Sequence, residues 1–534
     1  MKILATYFGH ESTVVSYIDG KITIVELDKF IGEKWTRIDD KPLVEQSDIL
    51  DQVFKVLGDH TYDVWVNGSY GDKQNCNGGV WATKYSRIIK YKRHVRGPGH
   101  HLLHAYSSFF QSPFDKAFII SSDGGGNDGF FNMYRADRKN GIEQFDRIDR
   151  FDLGTYYGIL GSLSKEISAT TGHFLDVAGK AMALASVGYT TPKDRTLQQR
   201  IGDIYTGQPS AQKQLNEYLA INRFAHNNNV AVGNDPSKKF MSVKDDQVSR
   251  QICRFNQSEL EQKFINVVTD RSYEIWSRYD GNLILTGGVA MNVVNNQNLR
   301  DNQGMNLFVP CNPSDRGLAL GGLYWYLHLT GQPVPEGSQH FSGIPLIGDG
   351  PIDPTKRKTS IKTLANMLKK GAILGIAEGD SEIGMRALGR RSIICDPSIP
   401  GMKDKINSEV KGREWFRPFA PIVLEEHLKY FKSISYDNLE YMAYAVPVTD
   451  EFAEKYPAVC HVDNTARVQL VTDEDSTVYK LLKEIGTPLL NTSFNIQGQP
   501  IISRESEAFD MLNSGVLDGI VVNGVLYKKP KSDK

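Results

Sequence analysis

The stretch from Lys2 to Glu26, KILATYFGHESTVVSYIDGKITIVE, alternates short apolar runs with polar turns. The apolar runs predict three strands, at Lys2 to Phe8, Thr13 to Ile18 and Lys21 to Glu26. The polar turn Gly9-His10-Glu11-Ser12 ends the first strand, and Asp19-Gly20 is typical of a hairpin between the other two. The pattern therefore predicts a sheet whose first strand ends in a polar turn.

A similar unit recurs later in the chain, which indicates a duplicated core. An apolar run from Ala117 to Ser122 leads into the turn Asp123-Gly124-Gly125-Gly126, and Phe130 to Tyr134 returns as a strand. A third break of this kind follows Asn282 to Leu285, where Thr286-Gly287-Gly288 opens a helix that carries Asn292.

These three turns together predict a phosphate-binding cleft between the duplicated halves. Glycine lets backbone N–H groups approach an anion closely, and a helix N-terminus favours negative charge. Each turn taken alone is more typical of a packing turn without a ligand. The candidate binding residues are Gly124, Gly125, Gly287, Gly288 and Asn292.

Three of the 12 histidines lie within five residues, at His100, His101 and His104. The preceding Pro-Gly fits a helix start, and on a helix His100 and His104 share one face. Two imidazoles and one distant carboxylate would suit ferrous iron. Ordinary hydrogen-bonded histidines at a helix start fit the spacing equally well.

Two further polar residues have a simpler explanation when taken alone. Asp315 by itself is more typical of a helix N-cap, and Lys180 by itself is more typical of an exposed lysine.

The second half contains a cluster of basic residues interleaved with glycine and apolar residues. Its members are Arg386, Arg390, Arg391, Lys403, Lys405, Lys411, Arg413, Arg417 and Arg467, and Ser493 follows in Asn-Thr-Ser-Phe-Asn. Arginine binds phosphate with two parallel hydrogen bonds, and lysine supplies a point charge. Since glutamate does not alternate with these arginines, the pattern favours a pocket for a phosphorylated small molecule over a salt-bridged surface.

Length and composition limit the classes of protein. A chain of 534 residues suggests two large domains. A net charge of -1 argues against a protein that binds polymeric nucleic acid. No apolar run is long enough to span a bilayer, and the first residues do not resemble a signal peptide. The five scattered cysteines form no CxxC pair, so we expect a reducing compartment and a cytoplasmic protein.

A stretch rich in Gly and Pro, Gly331 to Lys358, predicts an inter-domain connection. We expect a first domain at 1–335, a linker at 336–358 and a compact α/β domain at 359–534. The last of these should begin with a helix from Ile361 to Lys370.

The motifs, taken in order, resemble those of the O-carbamoyltransferases of antibiotic and nodulation-factor biosynthesis, such as the tobramycin and cephalosporin enzymes. The resemblance covers nearly the whole chain. The matching motifs are Gly9-His10, the His100-His101-x-x-His104 run, Asp123-Gly-Gly-Gly, Gly179-Lys180-x-Met182, Gly287-Gly288-Val289-Ala290-x-Asn292, Asp315-x-Gly317, Arg386-Ala-Leu-Gly-x-Arg391-Ser, Met402-Lys-Asp, Lys411-x-Arg413-Glu-x-Phe-Arg417-Pro-Phe-Ala-Pro, His461-Val-Asp-x-Thr-Ala-Arg467 and Asn491-Thr-Ser-Phe-Asn495.

This resemblance implies a duplicated actin-like ATPase (ASKHA) fold for the first domain, similar to the tRNA threonylcarbamoyl transferases, and a YrdC-like α/β second domain. By the same resemblance, the second domain would cleave carbamoyl phosphate and join the carbamate to ATP, with Mg(2+), and pyrophosphate would be released. The first domain would transfer the carbamoyl group of the resulting carbamoyl adenylate to a hydroxyl group, and AMP would leave. The acceptor would be a sugar, an antibiotic precursor or a hydroxymethyl pyrimidine nucleotide. The sequence does not decide the oligomeric state, and a homodimer is compatible with it.

Residue roles are implied by position in these motifs. The Fe(2+) ligands would be His100, His104 and Asp315. His10 would be the general base, and Asp123 would lie in the transfer pocket. The carbamoyl phosphate pocket would contain Lys411, Arg417, Arg467 and Ser493. The nucleotide would be bound by Gly124, Gly125, Lys180, Gly287, Gly288, Asn292, Arg386 and Arg391.

The chain departs from the family pattern at three places, and these departures affect the identity of the acceptor more than the type of reaction. Glu11 replaces aspartate, Asp28-Lys29-Phe30 replaces Glu-Arg-Phe, and Ala183 to Gly188 differs from the usual Gly-Leu-Ala-Pro-Tyr-Gly.

The alternatives to a carbamoyltransferase are a small-molecule kinase of the actin-like fold, a non-catalytic nucleotide-binding protein and a tRNA-modifying enzyme. A kinase would release ADP and leave the block from Lys411 to Arg417 without a role.

Overall fold

A computed structural model describes most of the chain. The described residues are 1–68, 85, 88–149, 151–168, 170–171, 173–188, 195–205, 246–353, 355–432 and 438–529. Cys76, one of the five cysteines, lies outside them. The other four, Cys253, Cys311, Cys395 and Cys460, are buried free thiols.

The first part of the chain contains two five-stranded sheets. The first sheet has the order β3-β2-β1-β4-β5, and the second has the order β10-β9-β6-β7-β8. The strands are β1 Lys2–Tyr7, β2 Thr13–Ile18, β3 Lys21–Glu26, β4 Tyr62–Asn67, β5 Tyr91–Arg96, β6 Lys116–Ser122, β7 Phe131–Asp137, β8 Gly141–Arg147, β9 Asn282–Thr286 and β10 Asn306–Phe308.

The two sheets have the same topology. In each, a central strand pairs antiparallel with the next strand along the chain, which pairs antiparallel with the third. On its other edge the central strand pairs parallel with the fourth, and the fourth pairs parallel with the fifth. The parallel pairs need long crossovers, and described helices lie in the connections from β1 to β4, from β6 to β9 and from β9 to β10. This repeat confirms the duplicated α/β core, the arrangement expected of an actin-like fold.

Helices cover the two sheets and connect their strands. They are α1 Leu27–Ile31, α2 Leu43–Val56, α3 His100–Gln111, α4 Leu153–Ser162, α5 Lys165–Ser168, α6 Val177–Ala185, α7 Arg195–Tyr205, α8 Asp246–Tyr279, α9 Val293–Gln303 and α10 Leu318–Leu329. Short 3-10 turns lie at Ile38–Asp40, Phe174–Asp176, Gly288–Met291 and Asp315–Gly317. None of the helices in the described residues is both long and apolar enough to span a bilayer.

Helices α3 and α10 pack against each other between the two sheets, and this contact positions the site described below. Apolar residues from both helices, including Leu103, Phe109, Leu320 and Leu323, are buried in one core cluster. The two backbones approach so closely that a Cβ atom at Gly321 would collide with the carbonyl oxygen of Leu103. Only glycine allows this approach.

Gly321→Ala should therefore destabilise the protein by roughly 1–3 kcal/mol, the usual cost of overpacking a core. Gly322, the next residue of the same helix, is the matched control, since its added Cβ would lie 3.5 Å from Val66 Cγ1, an ordinary contact. Gly322→Ala should be neutral or stabilising because alanine favours helix. Thermal unfolding of both variants measures the difference, and equal midpoints would contradict the close-approach argument.

The second part of the chain is a mixed seven-stranded sheet with helices, so the expected α/β class is confirmed there as well. Its order is β16-β13-β17-β12-β11-β18-β19. The strands, with the separate pair β14 and β15, are β11 Leu374–Ala377, β12 Arg391–Cys395, β13 Ala420–Val423, β14 Val446–Pro447, β15 Thr465–Ala466, β16 Gln469–Leu470, β17 Leu489–Ser493, β18 Gly519–Val522 and β19 Val525–Lys528. The helices are α11 Ile361–Lys369, α12 Met402–Lys405, α13 Asp450–Lys455, α14 Thr477–Ile485 and α15 Glu505–Asn513; a π-helical turn covers Ile406–Lys411, and 3-10 turns lie at Glu425–Tyr430 and Pro457–Val459.

Buried polar contacts connect the two parts of the chain. The backbone N–H of Val309 donates to Asn438 Oδ1 at 2.9 Å. Lys29 Nζ donates to the carbonyl oxygen of Glu382, also at 2.9 Å. Lys180 Nζ lies 2.6 Å from Glu414 Oε1. The boundaries 1–335, 336–358 and 359–534 stay a prediction.

Candidate functional site

Four side chains form a compact histidine–carboxylate group: His100, His104, Asp123 and Asp315. Their potential ligand atoms all lie within 4.8 Å of one another. His100 Nε2 and His104 Nε2 are 3.2 Å apart, and they lie 3.3 Å and 3.4 Å from Asp315 Oδ1. The four-residue spacing on α3 therefore directs both imidazoles to one point, as predicted. The carboxylate of Asp315, more than 200 residues later in the chain, lies at the same point.

The Gly-rich turn after β6 holds the beginning of α3 in place. The N-cap residue of α3, Gly99, has no side chain, so its first N–H groups need other partners. The N–H of His100 donates to Asn127 Oδ1 at 2.9 Å, and the N–H of His101 donates to Asp128 Oδ1 at 3.0 Å. The turn that carries Asp123 thus also orients the helix that carries the histidines.

Asp315 is not a helix N-cap, the function that its local sequence suggested. Ser314 precedes the 3-10 turn, and the buried carboxylate of Asp315 points to the histidines. Its Oδ2 accepts a hydrogen bond from Tyr7 Oη at 2.5 Å and lies 3.3 Å from His10 Nε2. Oδ1 consequently remains directed at His100 and His104. Tyr7 was not predicted; its position at the end of β1, before the His10 turn, is the only sequence signal for it.

Backbone groups of both Gly-rich turns hold Asp123. Oδ1 accepts from the N–H of Gly124 and Oδ2 from the N–H of Gly288, both at 2.6 Å. Gly287 has a φ of 83°, and a side chain there would collide with the backbone of Ser122. The predicted turns therefore meet, and they bind a carboxylate of the chain itself. A Cβ at Gly125 would have no neighbour within 4 Å among the described residues.

The carboxylates make this place favourable for a positive charge. Burial by itself would lower the pKa of His104, but the carboxylates of Asp123 and Asp315 raise it to about 9. Burial would raise the pKa of Asp315, and the neighbouring histidines hold it well below its usual range instead. Either a proton on His104 or a bound cation can supply the charge that these carboxylates favour.

His101 has a different environment from its two neighbours. Its Nδ1 lies 2.8 Å from Ser121 Oγ and its Nε2 lies 2.9 Å from the carbonyl oxygen of Gly129. Burial, together with the charge of His100, lowers the pKa of His101 to about 4. His101 is therefore a neutral structural residue that connects α3 to the sheet.

A buried ion-pair cluster lies directly behind Asp315. Arg316 donates from Nε to Glu11 Oε1 at 3.0 Å and from its terminal nitrogens to both carboxylate oxygens of Asp28, at 2.7 Å and 2.5 Å. Lys29 Nζ lies 2.5 Å from Glu26 Oε2. Glu11 and Asp28-Lys29, which depart from the family pattern, thus belong to the ion-pair cluster that supports Asp315.

Two predicted nucleotide-binding residues make contacts within the protein. Asn292 caps α9 by accepting from the N–H of Asn295, and it exchanges side-chain hydrogen bonds with Gln257. Lys180 is buried rather than exposed and donates to the carbonyl oxygen of Thr170 as well as pairing with Glu414. The contacts give neither residue a free side chain for a nucleotide, so these two roles stay predictions without support from the geometry.

The second site, called here the cationic pocket, is formed by side chains from separate segments: Arg386, Lys411, Arg413, Arg417, Arg467 and Ser493. Lys411, at the end of the π-helical turn, donates to Ser493 O and Oγ at 2.5 Å and 3.2 Å, and to Asn495 Oδ1 at 2.6 Å. All of these acceptors are neutral. Arg413, which the motif contains but which had no assigned role, donates to Asn407 Oδ1 and lies over the ring of Phe419.

Burial first, and next the charges of neighbouring cations, lower the pKa of several members of this pocket. Burial, and next the charge of Arg417, lowers the pKa of Arg386 to about 10. Burial lowers the pKa of Arg467 well below its usual range, with contributions from the charges of Arg386, Arg413 and Arg417. Arg467 Nε is buried and has no hydrogen-bond partner among the described residues. Glu414, 3.7 Å from Arg417, is itself paired with Lys180. Such a pocket is suited to bind a multiply charged anion.

Arg391 lies outside this arrangement. It is fully buried, and its guanidinium donates to the carbonyl oxygens of Glu378, Gly379 and Arg390 at 2.7 to 3.0 Å. These contacts place Arg391 in the framework of the loop between β11 and β12, so its predicted binding role has no support from them.

A cavity lies between the two parts of the chain, near both sites. Its lining includes Met291, which follows the Gly287-Gly288 turn, and Pro313, two residues before Asp315. On the other side it is lined by Arg386 of the cationic pocket and by Met442.

Comparison with known families agrees with the motifs. A family profile described as the N-terminus of carbamoyltransferases matches residues 15–323, and one described as their C-terminus matches residues 365–529. The chain is 30% identical to nodulation protein NolNO of Sinorhizobium fredii over 454 residues, which cover 80% of this chain and 63% of that protein. It therefore spans less than two thirds of that relative's length.

Two further comparisons cover less of the chain or show lower similarity. Nodulation protein U of Rhizobium tropici is 35% identical over 258 residues, 47% of this chain and 44% of that protein. The activator of the 2-hydroxyisocaproyl-CoA dehydratase from Clostridium difficile, solved with ADPNP, aligns with 63% of this chain and 100% of its own at 12% identity and a TM-score of 0.34.

Proposed function

The chain belongs to the carbamoyltransferase family, and from this premise we propose that it is an ATP-dependent O-carbamoyltransferase with two successive active sites. At the second site, water first cleaves carbamoyl phosphate into carbamate and inorganic phosphate. A carbamate oxygen then attacks the α-phosphate of MgATP, pyrophosphate leaves and carbamoyl adenylate forms. At the first site, a hydroxyl of a small molecule attacks the carbamoyl carbon, and AMP leaves. The products are a carbamate ester, AMP, pyrophosphate and inorganic phosphate.

The cationic pocket is the observation that carries this proposal. Lys411 is buried, the arginines near it are half-buried and close enough for their charges to interact, and the hydrogen-bond acceptors around Lys411 are neutral. Binding the phosphate of carbamoyl phosphate would reduce the repulsion between these cations, because each cation would then form a charge-assisted hydrogen bond to a phosphate oxygen. Ser493 and Lys411 lie on one side of this pocket, and Arg386, Arg417 and Arg467 would bind the remaining phosphate oxygens.

The first site fits a divalent metal. Two imidazoles and a carboxylate oxygen converge within hydrogen-bond distance, which is the donor set that suits Fe(2+). We propose His100, His104 and Asp315 as ligands, with Asp123 held beside them by backbone N–H groups. A metal there would act as a Lewis acid on the adenylate phosphate.

His10 is proposed to take the proton of the acceptor hydroxyl. Its Nε2 faces Asp315 at 3.3 Å, whereas its Nδ1 has no hydrogen-bond partner among the described residues. Such an arrangement leaves one ring nitrogen for a substrate hydroxyl, and general-base help is typically worth roughly 10²–10⁴-fold in rate.

The test is product analysis after incubation of the protein with carbamoyl phosphate, MgATP and a panel of hydroxyl compounds. We expect pyrophosphate and AMP, and an acceptor heavier by one carbamoyl group. His10→Asn should still release pyrophosphate but lose most of the transfer. A kinase of the same fold would instead give ADP and a phosphorylated acceptor, and this result would refute the proposal.

A further inference from the structure

A carboxylate, that of Glu414, lies beside the arginines of the cationic pocket. Glu414 stands between Arg413 and Arg417 in the sequence, and its carbonyl oxygen accepts from the N–H of Arg417 at 3.2 Å, which closes a turn. The side chains of Glu414 and Arg417 lie 3.7 Å apart. A carboxylate this close to an arginine competes with a bound phosphate for the same cation. Glu414 would therefore weaken the pocket unless another cation neutralised it.

That other cation is Lys180, a residue of the first part of the chain. Its Nζ lies 2.6 Å from Glu414 Oε1, closer than Arg417 does, and the two side chains are only 7% and 5% exposed. Nζ also donates to the carbonyl oxygen of Thr170 at 2.7 Å, which fixes its position. Burial by itself would raise the pKa of Glu414, but Lys180, and next the hydroxyl of Thr170, lower it below its ordinary value. The carboxylate is therefore ionised, with Lys180 as its principal partner.

Two further contacts hold segments of the cationic pocket against the first part of the chain. The ring of Trp415, the next residue of the turn, has its centroid 5.6 Å from the guanidinium carbon of Arg250 on α8. Ser186, which follows α6, donates a hydrogen bond to the carboxylate of Asp463, in the segment that leads to Arg467. The region around α6 thus packs against two segments that carry pocket arginines.

We propose that Lys180 is a positioning residue of the second active site, supplied by the first part of the chain: it neutralises Glu414 and thereby leaves Arg417 available for the phosphate of carbamoyl phosphate. The inference rests on the proposed function. Without Lys180 a buried carboxylate would be unpaired, which is strongly unfavourable. Arg417, whose side chain is 36% exposed and so able to turn, is the nearby cation that would move to it. Lys180 thus acts without touching a substrate.

Titration calorimetry with inorganic phosphate tests this inference without turnover, and the KM for carbamoyl phosphate in an acceptor-free pyrophosphate assay tests it in the reaction. Lys180→Met should weaken phosphate binding and raise this KM by roughly 10–100-fold, the effect of losing one charge-assisted hydrogen bond, with the KM for ATP changed much less. Arg135→Met is the control. It breaks an ion pair within the first part, Arg135 Nε to Glu274 Oε1 at 2.7 Å, and should leave both values unchanged.

The double variant Lys180→Met/Glu414→Gln separates positioning from direct contact. It removes both buried charges, so that no carboxylate draws Arg417 away, and phosphate binding should return close to the wild-type value. Because it buries no unpaired charge, it should fold even if Lys180→Met does not. Glu414→Gln alone should bind phosphate at least as tightly as the wild type. A lysine that contacted the nucleotide directly would leave the double variant as defective as Lys180→Met, with a raised KM for ATP.

Three outcomes would overturn the inference: the wild type binds no phosphate, Lys180→Met binds it as tightly as the wild type does, or the double variant stays as weak as Lys180→Met. The inference and the proposed function fail separately. If the wild type releases pyrophosphate and Lys180→Met has no effect, only the inference fails. If the variants change phosphate binding as expected but the wild type releases no pyrophosphate, only the proposed function fails.

Discussion

Replacing His104 by alanine should abolish metal binding at the first site and carbamoyl transfer with it, while pyrophosphate release at the second site continues. His104 Nε2 is 3.2 Å from His100 Nε2 and 3.4 Å from Asp315 Oδ1, so its loss removes one of the three proposed ligands. Losing only an outer partner of a ligand typically costs about 10–100-fold in metal affinity. We therefore expect a larger loss for His104→Ala, measured by metal analysis after anaerobic loading with ferrous iron.

His101→Gln is the matched control for this experiment. His101 belongs to the same run and is equally buried, but its ring faces Ser121 and Gly129 and not the histidine–carboxylate group. This variant should keep its iron even if it is less stable. Full iron occupancy in His104→Ala, or equal loss in both variants, would refute the ligand assignment independently of any activity measurement.

The second large effect is expected for Arg417→Ala, which should reduce pyrophosphate release in the presence of carbamoyl phosphate by roughly 10²–10³-fold. That is the loss typical when one donor to a developing negative charge is removed. Arg417 is close enough to Arg386 and Arg467 to lower the pKa of both, so it contributes to the charge of the shared pocket. The measurement is a pyrophosphate-release assay at saturating ATP.

Arg417→Ala should nevertheless keep its iron and should still transfer the carbamoyl group from carbamoyl adenylate supplied externally. Arg390→Ala is the matched control, because Arg390 pairs with Asp473 at 2.5 Å and lies over Phe341, outside the cationic pocket. Normal pyrophosphate release by Arg417→Ala would refute the division of the reaction between two sites. A transfer defect with externally supplied adenylate would refute the independence of the first site.

The two sets of variants separate the half-reactions. His104→Ala should affect metal content and transfer, and Arg417→Ala should affect adenylate formation. The geometry favours this separation because each group of side chains comes mainly from its own part of the chain, while Lys180–Glu414 and Lys29–Glu382 connect the parts. Carbamoyl adenylate would then be formed in one part and consumed in the other.

Local patterns in the sequence determined several features correctly. Alternating apolar runs around Lys2 to Glu26 predicted β1 to β3, because a strand places successive side chains on opposite faces. The four-residue spacing predicted that His100 and His104 share a helix face, because one helical turn is 3.6 residues. The order of the motifs identified the family. Each strand, helix face and single motif is defined by residues that are close in sequence.

Long-range contacts decided the rest. Local sequence favoured an N-cap for Asp315, and only the close packing of α3 against α10 brings its carboxylate to the histidines. For Tyr7, which donates to Asp315, the only sequence signal is its position at the end of β1, and Arg316 has none. Sequence also grouped Arg391 with Arg386, although the contacts of Arg391 are with backbone carbonyls in its own loop.

Long-range contacts could not be predicted because the helix and strand periods specify which face of the element a side chain occupies, but not which other element packs against that face. Asn292 and Lys180 were predicted to bind a nucleotide, and tertiary packing instead paired them with Gln257 and Glu414. The sequence by itself determined the duplicated core and the family. The tertiary structure alone decided which carboxylate joins the histidines and which cations share a pocket, because those contacts join segments that only folding brings together.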